Sequence, residues 1–199
     1  MFLVVKEAFP QEYAQFLNEL AQAANQPGAD RGIGFELGQR FTSTLLRDNA
    51  HHIKAAPSEA FWRINRAQIA VLNSLQDTPY LCGRFLVAGG GGLTQEETGA
   101  LDLALVGQLG TDMMRAAAAG RLDPVPDLPA TDTQMAEAFA LWSQSESASA
   151  EELAAIEKNE WQTPAFCSGF RDYFTYLDSH RTDLSESVAR RIYLNVEAQ

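Results

Sequence analysis

Apolar residues recur along most of the chain at three- and four-residue spacings, the mark of helices with one buried face. Phe9-Pro10-Gln11-Glu12 suits a helix start, with proline where no N–H donor is needed. Tyr13, Phe16, Leu17 and Leu20 then line up on one side, and Asn25-Gln26-Pro27-Gly28 ends the segment. A second pattern spans about Phe35 to Ala55 and is closed by Pro57. Ser58 is placed to cap a third helix carrying Phe61, Trp62, Ile69, Leu72 and Leu75.

Thr78-Pro79 opens a short element that runs into Gly89-Gly90-Gly91-Gly92. The entropy of four successive glycines keeps them out of a helix interior and marks a flexible connection. Thr94-Gln95-Glu96-Glu97 has the form of a capping box. The helix it opens is expected to reach Ala119 and stop at Gly120. Its apolar residues, from Leu101 to Met114, spread round more than one face, as in a central helix. Pro124, Pro126 and Pro129 mark the one clear linker. Beyond it, helices are expected from Asp132 to Gln144, after the capping box Ser149-Ala150-Glu151-Glu152, from Thr163-Pro164 to His180, and from Asp183 through Leu184, Val188, Ile192 and Val196. The one strand-like stretch is Phe2 to Val5.

These patterns predict an all-α protein, an irregular multi-helix bundle of about seven or eight helices packed as helical hairpins. An N-terminal part (1–120) and a C-terminal part (132–199), joined by a proline-rich linker (121–131), are expected to share one core.

Two of the helix starts use the same phrase. Thr78-Pro79-Tyr80-Leu81-Cys82-Gly83-Arg84-Phe85 matches Thr163-Pro164-Ala165-Phe166-Cys167-Ser168-Gly169-Phe170, with Thr, Pro, Cys and Phe identical. Threonine caps, proline takes the first helical position, and Leu81 or Phe166, the cysteine and the phenylalanine fall on one buried face. Three readings of Cys82 and Cys167 are open. They are small apolar core residues in a duplicated hairpin, a disulfide if the two helix starts meet, or a reactive thiol pair activated by the helix N-termini. No Cys-x-x-Cys accompanies them.

The second helical pattern carries a cationic face. Arg40, Arg47, His51 and Lys54 fall within an arc of about 60° on an ideal helix, opposite Phe35, Phe41, Leu45, Leu46 and Ile53. Arg63 and Arg66 would extend the ridge past Pro57. It reads either as a site for an anionic partner or as a solvated helix face, the commoner use of such a pattern.

Charge narrows the partners. The 199 residues carry a net charge of −11. Residues 1–120 hold 9 Lys and Arg against 12 Asp and Glu, and residues 121–199 hold 6 against 14. Nucleic-acid binding needs clustered cations, so a nucleic-acid partner is excluded. An anionic membrane surface is disfavoured for the same reason, and no apolar run reaches the ~20 residues of a spanning helix. The acidic C-terminal part is suited to face a basic partner, and equally to keep the surface soluble by repulsion. The start Met1-Phe2-Leu3-Val4-Val5-Lys6 has no basic region and no long apolar stretch. It points to the cytoplasm if Met1 is the native start, and to a periplasmic or secreted protein if a leader has been removed.

Signatures of chemistry are weak. His51 and His52, adjacent on a helix, are expected to face different directions, and His180 stands alone, so no metal site is expected. The glutamate pairs lack the Glu-x-x-His of a di-iron bundle. Gly89 to Gly92 lacks the Lys-Ser/Thr of a phosphate loop. Trp62, Trp142 and Trp161 read as core or interface anchors. No cofactor is implied. The function read from the sequence is a non-enzymatic protein-interaction module of adaptor, regulator or inhibitor type. The alternatives are a helical bundle enclosing a small apolar ligand between Met113, Met114, Phe166, Phe170 and Phe174, and a thiol-dependent enzyme using Cys82 or Cys167.

Overall fold

A computed structural model describes residues 1–26, 31–126 and 129–196, with side chains throughout except at 31 and 193–196. The described residues are all-helical, with twelve α-helices and one 3-10 turn. That exceeds the expected seven or eight, because short helices stand where longer ones or none were expected.

The first surprise is the N-terminus. Phe2–Ala8 is a helix (α1), not a strand. Val5 and Phe9, four residues apart, are both fully buried, and Phe2 stacks on Phe16 with ring centroids 5.7 Å apart. The short apolar stretch read as strand-like is thus overridden by an i, i+4 contact face. Pro10 takes the first position of α2 (Pro10–Ala24), as expected. Of the turn meant to end α2, Pro27 and Gly28 lie outside the described residues. The next helix, α3 (Arg31–Asp48), packs on α2, with Phe41 stacked 4.4 Å from Phe16.

The expected Phe35–Ala55 helix is broken at Asn49. The Asn49 side chain donates to the Leu45 carbonyl at 2.9 Å, competing with the backbone ladder. A short α4 (Ala50–Lys54) follows. In α5 (Ser58–Ser74) the N-cap is Pro57, not Ser58, and the Ser58 hydroxyl donates instead to Glu186. The next helix, α6 (Pro79–Ala88), ends at Gly89, whose φ of 65° is the left-handed conformation that glycine tolerates. Gly90–Gly92 forms the 3-10 turn, held by hydrogen bonds from Gln39 to Gly91 O and from Arg84 to Gly92 O.

The Thr94–Glu97 capping box is present, but it opens only α7 (Gln95–Gly99). Asp102 accepts from the N–H groups of Ala104 and Leu105 and so starts a separate helix, α8 (Leu103–Leu122). Gly120 does not end it. An ideal Cβ at Gly120 would fall 1.9 Å from the His52 carbonyl, so the glycine lets α4 lie directly on α8. Helix α8 also packs on α1 and α5, which places it centrally.

After the 121–131 segment, of which Asp127 and Leu128 lie outside the described residues, come α9 (Asp132–Ser143), α10 (Ala150–Glu157), α11 (Pro164–Ser179) and α12 (Asp183–Val196). Capping boxes at Thr131 and Ser149 start the first two. Helix α11 lies against α5, α6 and α10, and α12 against α9 and α11. The side chain of Val196, expected to continue the buried face of α12, lies outside the description. One cluster of buried side chains runs from Val5 to Ala189. Within it the wholly buried Asn65 of α5 donates to the Phe174 carbonyl of α11 at 3.1 Å.

Candidate functional site

The twin phrase brings its two cysteines together. Cys82 and Cys167 form a disulfide, with Cα atoms 5.9 Å apart across 85 residues of sequence. Of the three readings this is the disulfide, and both cysteines also lie in the buried core. Each cysteine is the fourth residue of its helix, α6 or α11, so the bond ties one helix start to the other. The two caps are not equivalent. Thr163 accepts from the Phe166 N–H at 3.3 Å, as expected. Thr78 makes no side-chain cap, and its hydroxyl donates back to the Leu75 carbonyl at 3.2 Å.

Beside the disulfide lies a cleft of ≈ 240 Å³, bordered by Cys167, Ser149, Glu151, Glu152, Ser168 and Arg171. Burial pushes the Glu152 carboxyl up. Hydrogen bonds from Ser168 and from the N–H and hydroxyl of Ser149, with Arg171 nearby, outweigh it and leave the carboxyl below its ordinary value. It is therefore an anion at neutral pH, although buried. Arg171 donates to Asp172 at 2.8 Å.

A larger groove of ≈ 530 Å³ opens between the turn after α9 and the outer face of α11. Glu146, Asp172, Thr175, Tyr176 and His180 are among its walls, with three serines. The Tyr176 and His180 rings stack at 4.2 Å, and the imidazole Nδ1 lies 3.0 Å from the Tyr176 carbonyl. Ser145 and Ser147 pair through their hydroxyls at 2.8 Å. The Glu146 carboxylate, an aromatic ring and a set of hydroxyls suit an ammonium or guanidinium group, while Asp172 is already paired with Arg171.

The cationic face is divided by the break at Asn49. Arg40 and Arg47 lie on α3, and His51 and Lys54 on α4. Arg40 pairs with Glu19 at 3.1 Å and Arg47 with Asp48 at 3.2 Å, each arginine side chain 68% exposed. Pairs so open to solvent are worth about 0–1 kcal/mol. Arg66, expected to lengthen the ridge, pairs with Glu59 at 2.8 Å. His51 and His52 do not face apart. Their ring centroids are 3.8 Å from each other, because α4 is a short, irregular turn of helix. Burial lowers the His52 pKa, and the neighbouring charges of His51 and Arg121 lower it further.

The five residues expected to wall an apolar ligand site border neither opening. Met114, Phe166 and Phe174 are buried, and the Phe166, Phe170 and Phe174 rings contact one another in sequence along α11. Among the described residues, no group of three or more His, Cys, Asp or Glu side chains is placed to hold a metal ion, and no helix is long and apolar enough to cross a membrane.

Sequence reading missed Arg190, whose side chain is buried on α12. It donates to the carbonyls of Lys54 and Ala56, both at 2.7 Å, and to Glu186 at 3.0 Å, and it lies 4.5 Å over the Phe61 ring. The i, i+4 spacing of Glu186 and Arg190 was visible, but nothing local pointed to the carbonyls. The two openings were missed for a similar reason, since each is assembled from separate turns of chain. The chain matches no protein-family model, no curated protein and no solved structure.

Proposed function

We propose that the protein is a non-enzymatic interaction module that takes a basic segment of a protein partner into the groove beside α11. The observation that carries this reading is the groove itself. Glu146 supplies negative charge, with Asp172 already paired to Arg171, Tyr176 supplies an aromatic ring, and the volume of ≈ 530 Å³ suits a long cationic side chain. The groove belongs to the part of the chain with 14 acidic against 6 basic residues. Summed over the protein, the charge of −11 would speed encounter with a basic partner at low salt. The disulfide supports an oxidising compartment, hence a periplasmic or secreted setting.

The test is capture from native extract by the wild type and by a Glu146→Lys, Thr175→Arg double variant, which fills and inverts the groove. A basic protein held by the wild type, released by salt and lost from the variant is the expected result. Capture of no variant-sensitive partner, with the protein monodisperse on its own, would count against the reading.

A further inference from the structure

The two cysteines, both buried, do not border solvent equally. Cys82 is completely buried, whereas Cys167 keeps 4% exposure and borders the ≈ 240 Å³ cleft. On the Cys82 side, α6 is pressed against the turn before α11. A Cβ on Gly83 would fall 1.6 Å from the Trp161 carbonyl, and the Tyr80 ring sits 5.5 Å from that of Trp161. We propose that the cleft is a thiol–disulfide exchange site, in which a low-molecular-weight thiol reacts at the sulfur of Cys167 and not at that of Cys82.

The step balances with the thiol as reductant. Its thiolate attacks Sγ of Cys167, and a new S–S bond forms there. The Cys82–Cys167 bond breaks, and its electron pair leaves on Sγ of Cys82, which takes a proton from water. A second thiolate attacking the mixed disulfide frees Cys167 and releases the oxidised thiol. Two thiols are oxidised and the protein disulfide is reduced by two electrons. The mixed-disulfide intermediate would carry the small thiol on Cys167 and leave a free thiol at Cys82, which can re-close the bond.

The cleft also sets which thiols enter. Glu151 and Glu152 border it, and its one cation, Arg171, is engaged with Asp172. A net negative mouth favours a thiol with a cationic substituent over a neutral one, and disfavours one with a carboxylate.

Two measurements test this. In the first, reduction of the intact protein is followed with cysteamine, 2-mercaptoethanol and mercaptoacetate, each thiolate rate constant being divided by that of the same thiol with a small neutral disulfide to remove its intrinsic nucleophilicity. Rates should fall in that order by a few-fold per step at low salt. The Glu151→Arg variant should reverse the order. In the second, folded Cys82→Ser and Cys167→Ser chains react with cystamine. Cys167 in the first should form its mixed disulfide roughly tenfold or more faster than Cys82 in the second. Equal labelling of the two cysteines would overturn the proposal. So would reduction at one rate for all three thiols, equal to the rate of global unfolding, and this arm holds even if a serine variant fails to fold.

Discussion

Arg190 reaches back 136 residues to donate a 2.7 Å hydrogen bond to the carbonyl of Lys54. A second bond to Ala56 and the pair with Glu186 complete the fork. The last helix thereby closes the C-terminal end of α4, whose final carbonyls have no partner within so short a helix. Arg190→Ala leaves those carbonyls without their donor and Glu186 with only the Ser58 hydroxyl. The expected loss is about 3 kcal/mol in urea unfolding. Arg190→Lys should recover only part of it, because one ammonium cannot reproduce the planar fork. A loss below about 1 kcal/mol for Arg190→Ala would show that water replaces the arginine at little cost.

Helix α8 holds two glycines with opposite expectations. Gly120 faces the His52 carbonyl at a distance where no Cβ fits, while a Cβ at Gly107 meets nothing within 4 Å. Gly120→Ala should push α4 off α8 and cost about 3 kcal/mol. Gly107→Ala should raise stability by about 0.5–1 kcal/mol, through helix propensity alone. Thermal unfolding of the two variants side by side decides this, and a shift of the same sign in both would contradict the packing of α4 on α8.

His52 makes stability depend on mild acid. Its pKa is lowered in the fold, by burial first and then by His51 and Arg121, from an ordinary 6.5. The unfolded chain therefore binds the proton more readily. The contribution is complete above pH 6.5 and is lost as pH falls toward the lower, folded pKa. The difference in Tm between pH 7.5 and pH 5.5 should narrow in His52→Gln. An unchanged difference would assign the acid sensitivity elsewhere.

How much of this could be read from the chain depends on where the deciding contacts lie. Helix starts that are satisfied locally were legible. Thr94, Ser149 and Thr163 cap as their sequences imply, because donor and acceptor sit three residues apart. Breaks set by weak local competition were not. Asn49 and Asp102 divide patterns whose apolar spacing runs on unbroken, and the apolar stretch Phe2 to Val5 is helical where a short strand was read. The cysteine phrase placed both residues on buried helix starts, yet only the packing of α6 on α11 determines that they meet. The cationic residues were legible as a pattern along α3 and α4, but the pairing of Arg40 with Glu19 on α2 and of Arg47 with the adjacent Asp48 was not read from it.

The bond between Cys82 and Cys167 also changes the connectivity of the molecule. It closes the backbone from 82 to 167 into a covalent ring, and the proline-containing 121–131 segment lies on that ring. A protease that cuts this segment once opens the ring and releases nothing. Both fragments stay joined as one molecule of unchanged mass but for a water, and they separate only after the disulfide has been reduced.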